Sequence, residues 1–251
     1  MFDIAKRTGF GAIVLMVIPI LAWVSGWQWH PDNEVWWWRV LFWTTQTVTS
    51  PWGFITSIVL FAWFLWCLRF RLGPALVLAC ILGVALLAGQ GIKSAIKDRV
   101  REPRPYVIWL ERTHDMDGRD FYSLPGKARS MLVKKELQNE QEIPRWLRKH
   151  WQHETGFAFP SGHTVFAASW ALLAWGLLWP RRHYKSVIVI MVWSVAVLSS
   201  RMVLGMHWPR DVLMGILLSW LVIASACWLV QRWIGPLVPK PDEARDIKSR
   251  M

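Results

Sequence analysis

The stretch SRMVLGMHWPRDVLMGILLSWLVIASACWLV, residues 200–230, decides how the rest of this chain is read. Its second part, 212–230, holds no charged residue and approaches the ~20 apolar residues needed to cross a hydrocarbon core. Its first part sets Arg201, His207 and Asp211 at the mouth of that run. Moving outward, apolar windows without a charge recur at 10–27, 52–68, 72–92, 164–179 and 186–200. A backbone surrounded by lipid has to satisfy its own polar groups, and a helix does so within one segment. The expected fold is an all-α integral membrane protein with six transmembrane helices. The two shorter windows gain length through the polar residues at their ends.

Composition agrees with that class. The chain has 251 residues, 54% of them hydrophobic, and 21 tryptophans; its mean hydropathy is +0.26. This is too apolar for an ordinary soluble domain, and excess aromatic residues collect at membrane interfaces. The net charge of +12 raises nucleic acid as a partner. No compact Lys/Arg run with interleaved aromatics lies on a soluble module, so nucleic-acid binding is not expected. Cys67, Cys80 and Cys227 all fall inside apolar runs, as packing residues do, rather than as disulfide or metal-ligand pairs. Lys6-Arg7 ahead of the first window resembles a signal-peptide start. That window is long and lacks a small-x-small cleavage site, so it reads as an uncleaved anchor.

Orientation follows from the basic residues of the short loops. Lys6, Arg7, Arg69, Arg71, Arg181, Arg182, Lys185 and the tail residues Arg232, Lys240, Arg245, Lys248 and Arg250 alternate with segments holding only Arg39, Arg201 and Arg210. The positive-inside rule then puts both termini in the cytoplasm and the chemistry-bearing ends on the outward face. The expected organisation is one membrane domain over 1–251, with an outward-facing insertion, 97–159, between the third and fourth spans. The insertion is polar with helical patterning: Met131, Leu132, Leu137 and Ile143 alternate with charges, and Trp146, Leu147 and Trp151 follow. Such pieces either lie on an interface or cap the bundle with their apolar side inward. The tail, 236–251, with three prolines and mixed charges, reads as a flexible cytoplasmic segment.

Three short stretches carry chemistry: Lys97 with Arg104-Pro105, then Pro160-Ser161-Gly162-His163, then Ser200-Arg201 with His207 and Asp211. A phosphoryl group under attack spreads negative charge over its equatorial oxygens, and cations aimed there lower the barrier. Lys97, Arg104 and Arg201 supply such cations, arginine as a fork and lysine as a point charge. Ser161 and Gly162 precede a helix, whose free N–H groups favour an anion. Any one of these cations alone would read as a snorkelling helix-end residue. His207 and Asp211 are four apart, on one face if the segment is helical. A carboxylate on one ring nitrogen leaves the other free to attack, so His207 is the candidate nucleophile and Asp211 its orienter. His163 is the candidate acid for the leaving oxygen and the base for the water that follows. There is no His-x3-His, and few carboxylates cluster here, so neither a metal site nor a cofactor is expected.

In this order, Lys-x6-Arg-Pro, Pro-Ser-Gly-His and Ser-Arg-x5-His-x3-Asp are similar to the three motifs of the type 2 phosphatidic acid phosphatase superfamily, with no departure at any motif position. The likeness extends to Gly156-Phe157-Ala158-Phe159 before the second motif and to the long segment between motifs. It implies the helical core shared with acid phosphatases and haloperoxidases and a metal-independent lipid phosphate phosphatase acting through a phosphohistidine, set in a bacterial inner membrane with its site and the 97–159 insertion on the periplasmic side. The implied roles are His207 as nucleophile, His163 as acid and Asp211 as orienter, with Lys97, Arg104, Ser161, Gly162 and Arg201 on the phosphate. The implied substrate is phosphatidylglycerophosphate, with activity on undecaprenyl pyrophosphate, phosphatidic acid, lysophosphatidic acid and diacylglycerol pyrophosphate. An undecaprenyl pyrophosphate phosphatase is the alternative within the superfamily.

Glu154, shortly before the second motif, is an accessory candidate that could sense a headgroup or assist a proton; otherwise it is a solvated loop carboxylate. Trp27, Trp29 and Trp36-Trp37-Trp38 read as an interfacial belt. The rival class is a membrane protein that only binds anionic lipid, which leaves two histidines and a His-x3-Asp without a purpose. The expected partners are lipid phosphates in the bilayer, with no obligate protein partner.

Overall fold

The computed structural model describes residues 2–31, 36–68, 72–114 and 116–233. Among these the chain is helical, without a strand. The helices are α1 (Phe2–Val24), α2 (Trp36–Gln46), α3 (Trp52–Leu68), α4 (Leu72–Val100), α5 (Pro105–Thr113), α6 (Gly118–Ser123), α7 (Gly126–Glu136), α8 (Arg145–His153), α9 (Gly162–Leu177), α10 (Tyr184–Val203) and α11 (Pro209–Trp233). Arg69, Arg71 and the tail 236–251, on which part of the orientation and domain reading rests, lie outside the described residues.

All six apolar windows fall on helices: α1, α3, α4, α9, α10 and α11. Among the described residues, four segments are long and apolar enough to cross a membrane by length and hydropathy: Ala5–Val24, Ala79–Thr113, Tyr184–Val203 and Pro209–Leu229. Trp52–Leu68 is apolar but shorter, and Gly162–Leu177 has 16 residues. α9 is the central helix, packed against α1, α4, α10 and α11. Its buried face is mostly small: Ala167, Ala168, Ala171, Ala174 and Gly176. Small side chains let helices approach where lipid offers no hydrophobic drive to associate. At Gly215 of α11 a Cβ would lie 2.8 Å from Thr164 Cγ2, so only glycine permits that α9–α11 crossing. The outer faces carry exposed apolar side chains, among them Ile13, Leu21, Phe54, Trp66, Ile188, Val192 and Leu221. Exposed apolar helices of this kind mark a membrane protein.

The bundle has two distinguishable ends. At one, Arg181 donates to Leu68 O (2.8 Å) and Trp63 Nε1 to Ser186 Oγ (3.2 Å), joining the end of α3 to the α9–α10 turn. Phe10 lies near this end, its ring 5.6 Å from that of Trp175. At the other end, α9 and α11 begin, and α4 and α10 finish. The expected apolar window of α4 stops at residue 92, whereas the helix continues to Val100 and carries Lys93 and Lys97 on its last turns.

Over that second end sits a cap of α2 and α5–α8 with its own core. Tyr106, Leu110, Phe121, Val133, Leu137, Ile143, Leu147 and Trp151 are buried together with Trp29, Trp38, Leu204 and Met206. Full burial of side chains this size contributes about 1.5–3 kcal/mol each. The apolar side of the insertion therefore faces inward, and among its named residues Met131 is exposed. Local chemistry starts these helices: Pro105 occupies the first turn of α5, and Asp117 caps α6 by accepting from Arg119 N at 2.6 Å. The tryptophans divide. Trp27, Trp36 and Trp37 are exposed as a belt requires, but Trp29 and Trp38 are core residues. Trp29 Nε1 donates to Val203 O (2.8 Å), and its ring lies against Gly205, whose φ of +69° forms the α10–α11 reversal.

Candidate active site

The three motif stretches, distant in sequence, meet at the seam between bundle and cap. Lys97 stands near the end of α4, and Arg104 is the extended residue before α5. Ser161 caps α9, its side chain accepting from Thr164 N (3.4 Å) and from the Thr164 hydroxyl (2.9 Å). Gly162 and His163 open the same helix. Arg201 lies in the last turn of α10, His207 in the reversal, and Asp211 in the first turn of α11. Ser161 N donates to Asp211 O (3.2 Å), tying the starts of α9 and α11 together.

The centre of the site is a carboxylate. Glu154 Oε2 accepts from Arg201 Nη2 at 2.7 Å and from Arg104 Nη1 at 3.3 Å. Its Oε1 lies 3.6 Å from His163 Nε2 and 3.8 Å from His150 Nε2. Burial alone would raise the Glu154 pKa, but Arg201, His163 and Arg104 together hold it well below the usual carboxylate range. Arg104 is fixed from three sides: Nε donates to Gly156 O (2.6 Å), Nη1 to Met206 O (3.3 Å), and its backbone N to the Tyr122 hydroxyl (3.0 Å). Arg201 is fully buried, and its Nη1 donates to Thr45 Oγ1 at 2.8 Å. Two guanidiniums aimed at one carboxylate define where an anion binds.

Beside this pair stands His207, 1% exposed, with Nδ1 3.4 Å from Asp211 Oδ2. The two do not share a helical face as the spacing suggested. His207 precedes α11, and Asp211 reaches back across the helix start, where its Oδ2 also accepts from Trp208 N (2.8 Å). Burial, then Arg104, Arg201 and Lys97, lower the His207 pKa well below the ordinary histidine value, so the ring is neutral. A neutral imidazole facing cations that bind phosphate is suited to nucleophilic attack on phosphorus. His163 presents Nε2 to Thr49 Oγ1 at 3.0 Å.

Lys97 is half-buried and feels Arg104, Lys93, Glu154 and Arg201. A Cβ on Gly162 would sit 3.0 Å from Lys93 Cδ, so the lysine side chain would have to shift to admit one. Four buried polar atoms here have no hydrogen-bond partner among the described residues: Arg201 Nε, Glu154 Oε1, His207 Nδ1 and Asp211 Oδ1. Among the described residues no group of three or more His, Cys, Asp or Glu is placed to hold a metal ion.

Sequence reasoning missed four side chains here. Lys93 lies one turn before Lys97 and donates to Gln90 Oε1 (2.8 Å). His150, four residues before Glu154 on α8, is buried with Nε2 3.3 Å from Arg201 Nη1; burial lowers its pKa to about 4. Thr45 and Thr49 come from the polar run TTQTVTS, residues 44–50, which ends α2. That run between two apolar segments was the available signal.

The PAP2 superfamily model matches residues 78–235. Phosphatidylglycerophosphatase B of Escherichia coli K12 is 56% identical over 250 residues, covering 100% of this chain and 98% of the relative. The protein of the same description from Haemophilus influenzae is 35% identical over 228 residues, 86% of this chain and 92% of the relative. A shorter match, 37% over 76 residues and 30% of this chain, is to an Escherichia coli protein, YbjG, described provisionally as an undecaprenyl-diphosphatase. The chain belongs to the PAP2 superfamily, and it is a membrane-embedded lipid phosphate phosphatase.

Proposed function

We propose that this phosphatase removes the phosphate of phosphatidylglycerophosphate to yield phosphatidylglycerol, through a phosphohistidine on His207 and without a metal. Lys97, Arg104, Arg201 and the α9 start at Ser161 and Gly162 hold the phosphoryl oxygens, and Asp211 orients His207. His207 attacks phosphorus while the bond to the lipid oxygen breaks and His163 gives that oxygen a proton. Neutral His163 then takes a proton from water, which attacks the phosphohistidine and frees phosphate. Undecaprenyl pyrophosphate, phosphatidic acid, lysophosphatidic acid and diacylglycerol pyrophosphate share the phosphoryl group and are further substrates. The short match to YbjG favours the diphosphate carrier as the second reading.

The observation that carries the mechanism is the Glu154 carboxylate, gripped by Arg104 and Arg201 with His163 3.6 Å from its other oxygen. It marks an anion position with an acid beside it. For topology, six spans with both termini in the cytoplasm of the inner membrane and the site at the periplasmic face agree with Lys6, Arg7, Arg181 and Arg182 lying away from the site. The insertion 97–159 is then the periplasmic cap of a single domain.

Purified protein given phosphatidylglycerophosphate in detergent releases phosphate in EDTA, is inhibited by vanadate, and yields an acid-trapped, labelled phosphohistidine absent from His207→Ala. A label that persists in that variant refutes the nucleophile. Faster turnover of undecaprenyl pyrophosphate than of phosphatidylglycerophosphate, side by side, selects the second reading.

A further inference from the structure

The end of α2 reaches the site from a part of the chain that precedes the superfamily match at 78–235. Helix α2 stops in a tightened turn: Thr47 N, Val48 N and Thr49 N donate to Thr44 O, Thr45 O and Gln46 O at 3.2, 3.1 and 3.0 Å. The turn is pinned, since Trp193 Nε1 of α10 donates to Thr47 Oγ1 (3.0 Å) and the Thr56 hydroxyl to Thr47 O (2.7 Å). From it, Thr45 Oγ1 accepts from Arg201 Nη1 (2.8 Å), and Gln46 Nε2 lies 3.4 Å from His150 Nδ1. Thr49 Oγ1 lies 3.0 Å from His163 Nε2 and 3.3 Å from Thr45 O. A carbonyl only accepts, so the Thr49 hydroxyl donates to Thr45 O and its lone pairs accept the proton of His163 Nε2.

We propose that Thr49 is a positioning residue for leaving-group protonation: it shares the Nε2–H of His163 with the place of Glu154 Oε1, 3.6 Å away, and so keeps that edge of the ring turned to where the lipid oxygen sits, while Thr45 fixes Arg201 on the phosphate. This rests on the reading of His163 as the acid. In the step concerned, the P–O bond to the lipid breaks, its electron pair stays on the lipid oxygen, and the Nε2 proton of His163 moves to that oxygen. Without the Thr49 acceptor, the ring turns, and the proton no longer meets the departing oxygen. The turn is held by its backbone bonds and by the contacts to Thr47, and Thr45 O keeps its bond from Val48 N when the Thr49 hydroxyl is lost, so the near-isosteric Thr49→Val leaves the fold in place.

Two lipids with one tail separate this role from a merely structural one. Phosphatidic acid expels a diacylglycerol alkoxide and needs the proton. Diacylglycerol pyrophosphate expels a phosphate monoester, a far better leaving group, and needs it much less. In kcat/KM, which reports the steps up to release of the lipid product and not the later hydrolysis common to both lipids, Thr49→Val is expected to lose about ten- to a hundredfold on phosphatidic acid and less than about threefold on diacylglycerol pyrophosphate, and every variant is compared on that constant. Thr49→Ser, which keeps the hydroxyl, restores phosphatidic acid turnover. Thr45→Val lowers kcat/KM on both lipids equally, because the phosphate grip is common to both. An equal loss on both lipids in Thr49→Val, no loss on either, or no recovery in Thr49→Ser overturns the proposal. His163→Ala is the control for the reading beneath it. If His163→Ala spares the pyrophosphate and Thr49→Val does not, only the Thr49 role fails. If His163→Ala loses both lipids equally, the acid assignment fails and takes the proposal with it.

Discussion

The bundle and the cap put the same kinds of residue to opposite use. In the bundle, large apolar side chains such as Ile13, Leu21, Phe54 and Val192 point outward, and the centre is packed with alanines of α9. In the cap, Tyr106, Phe121, Leu147 and Trp151 point inward, and the charges point outward. The bundle is thus built for lipid outside, and the cap for water. The site occupies the seam because neither half completes it. The bundle ends bring Lys97, Ser161, His163, Arg201, His207 and Asp211; the cap side brings Arg104, His150 and Glu154.

The largest expected effect tests the bundle half. His207→Ala should lower kcat on the order of ten-thousandfold or more, since a missing nucleophile has no substitute; normal thermal unfolding in detergent would show that chemistry alone is lost. Next comes the cap's independence. Trp151→Ala removes a stacked ring 4.9 Å from Tyr106 and the Nε1 bond to Leu204 O, and should cost about 3–5 kcal/mol. Limited proteolysis should then cut within 105–153 first; cleavage distributed equally over the bundle would mean the two regions melt together.

Arg104→Ala, which removes the cap's cation, should lower kcat/KM by about a hundred- to a thousandfold, measured on the fraction that remains folded because the buried partners of Arg104 are left unpaired. Smaller again is the pH response. Protonating His207 removes the nucleophile, so kcat/KM falls as pH drops through its pKa. Because burial and then Arg104, Arg201 and Lys97 lower that pKa, the acid limb should lie below the ordinary histidine value of about 6.5. Glu154 opposes the lowering, so Glu154→Gln should move the limb further down in whatever activity remains. At the bottom of the scale, Met131→Lys on the exposed side of α7 should change stability by less than about 0.5 kcal/mol.

The two regions also differ in how far the sequence reveals them. Windows of uncharged apolar residues announce a helix in lipid because each must satisfy its backbone alone, so every expected window coincides with a helix. The motif residues were legible for the same local reason: the caps, turns and spacings that carry them are short-range. What escaped was tertiary. Nothing local says that Glu154 lies between Arg104 and Arg201 rather than in water, or that Trp29 and Trp38 leave the belt for the cap core. The His207–Asp211 spacing suggested a shared helical face, but Pro209 starts α11 between them and turns the contact into one across a helix start. Thr45 and Thr49 were invisible as site residues because their partners lie over a hundred positions away.

Glu154 has one more consequence. Its carboxylate already sits on both arginines, so on the proposed reading an incoming phosphate displaces one anion to seat another. Buried charge pairs are screened little by salt, so substrate affinity should depend only weakly on ionic strength. On the same reading the tethered carboxylate competes with free phosphate after hydrolysis and helps to clear the site.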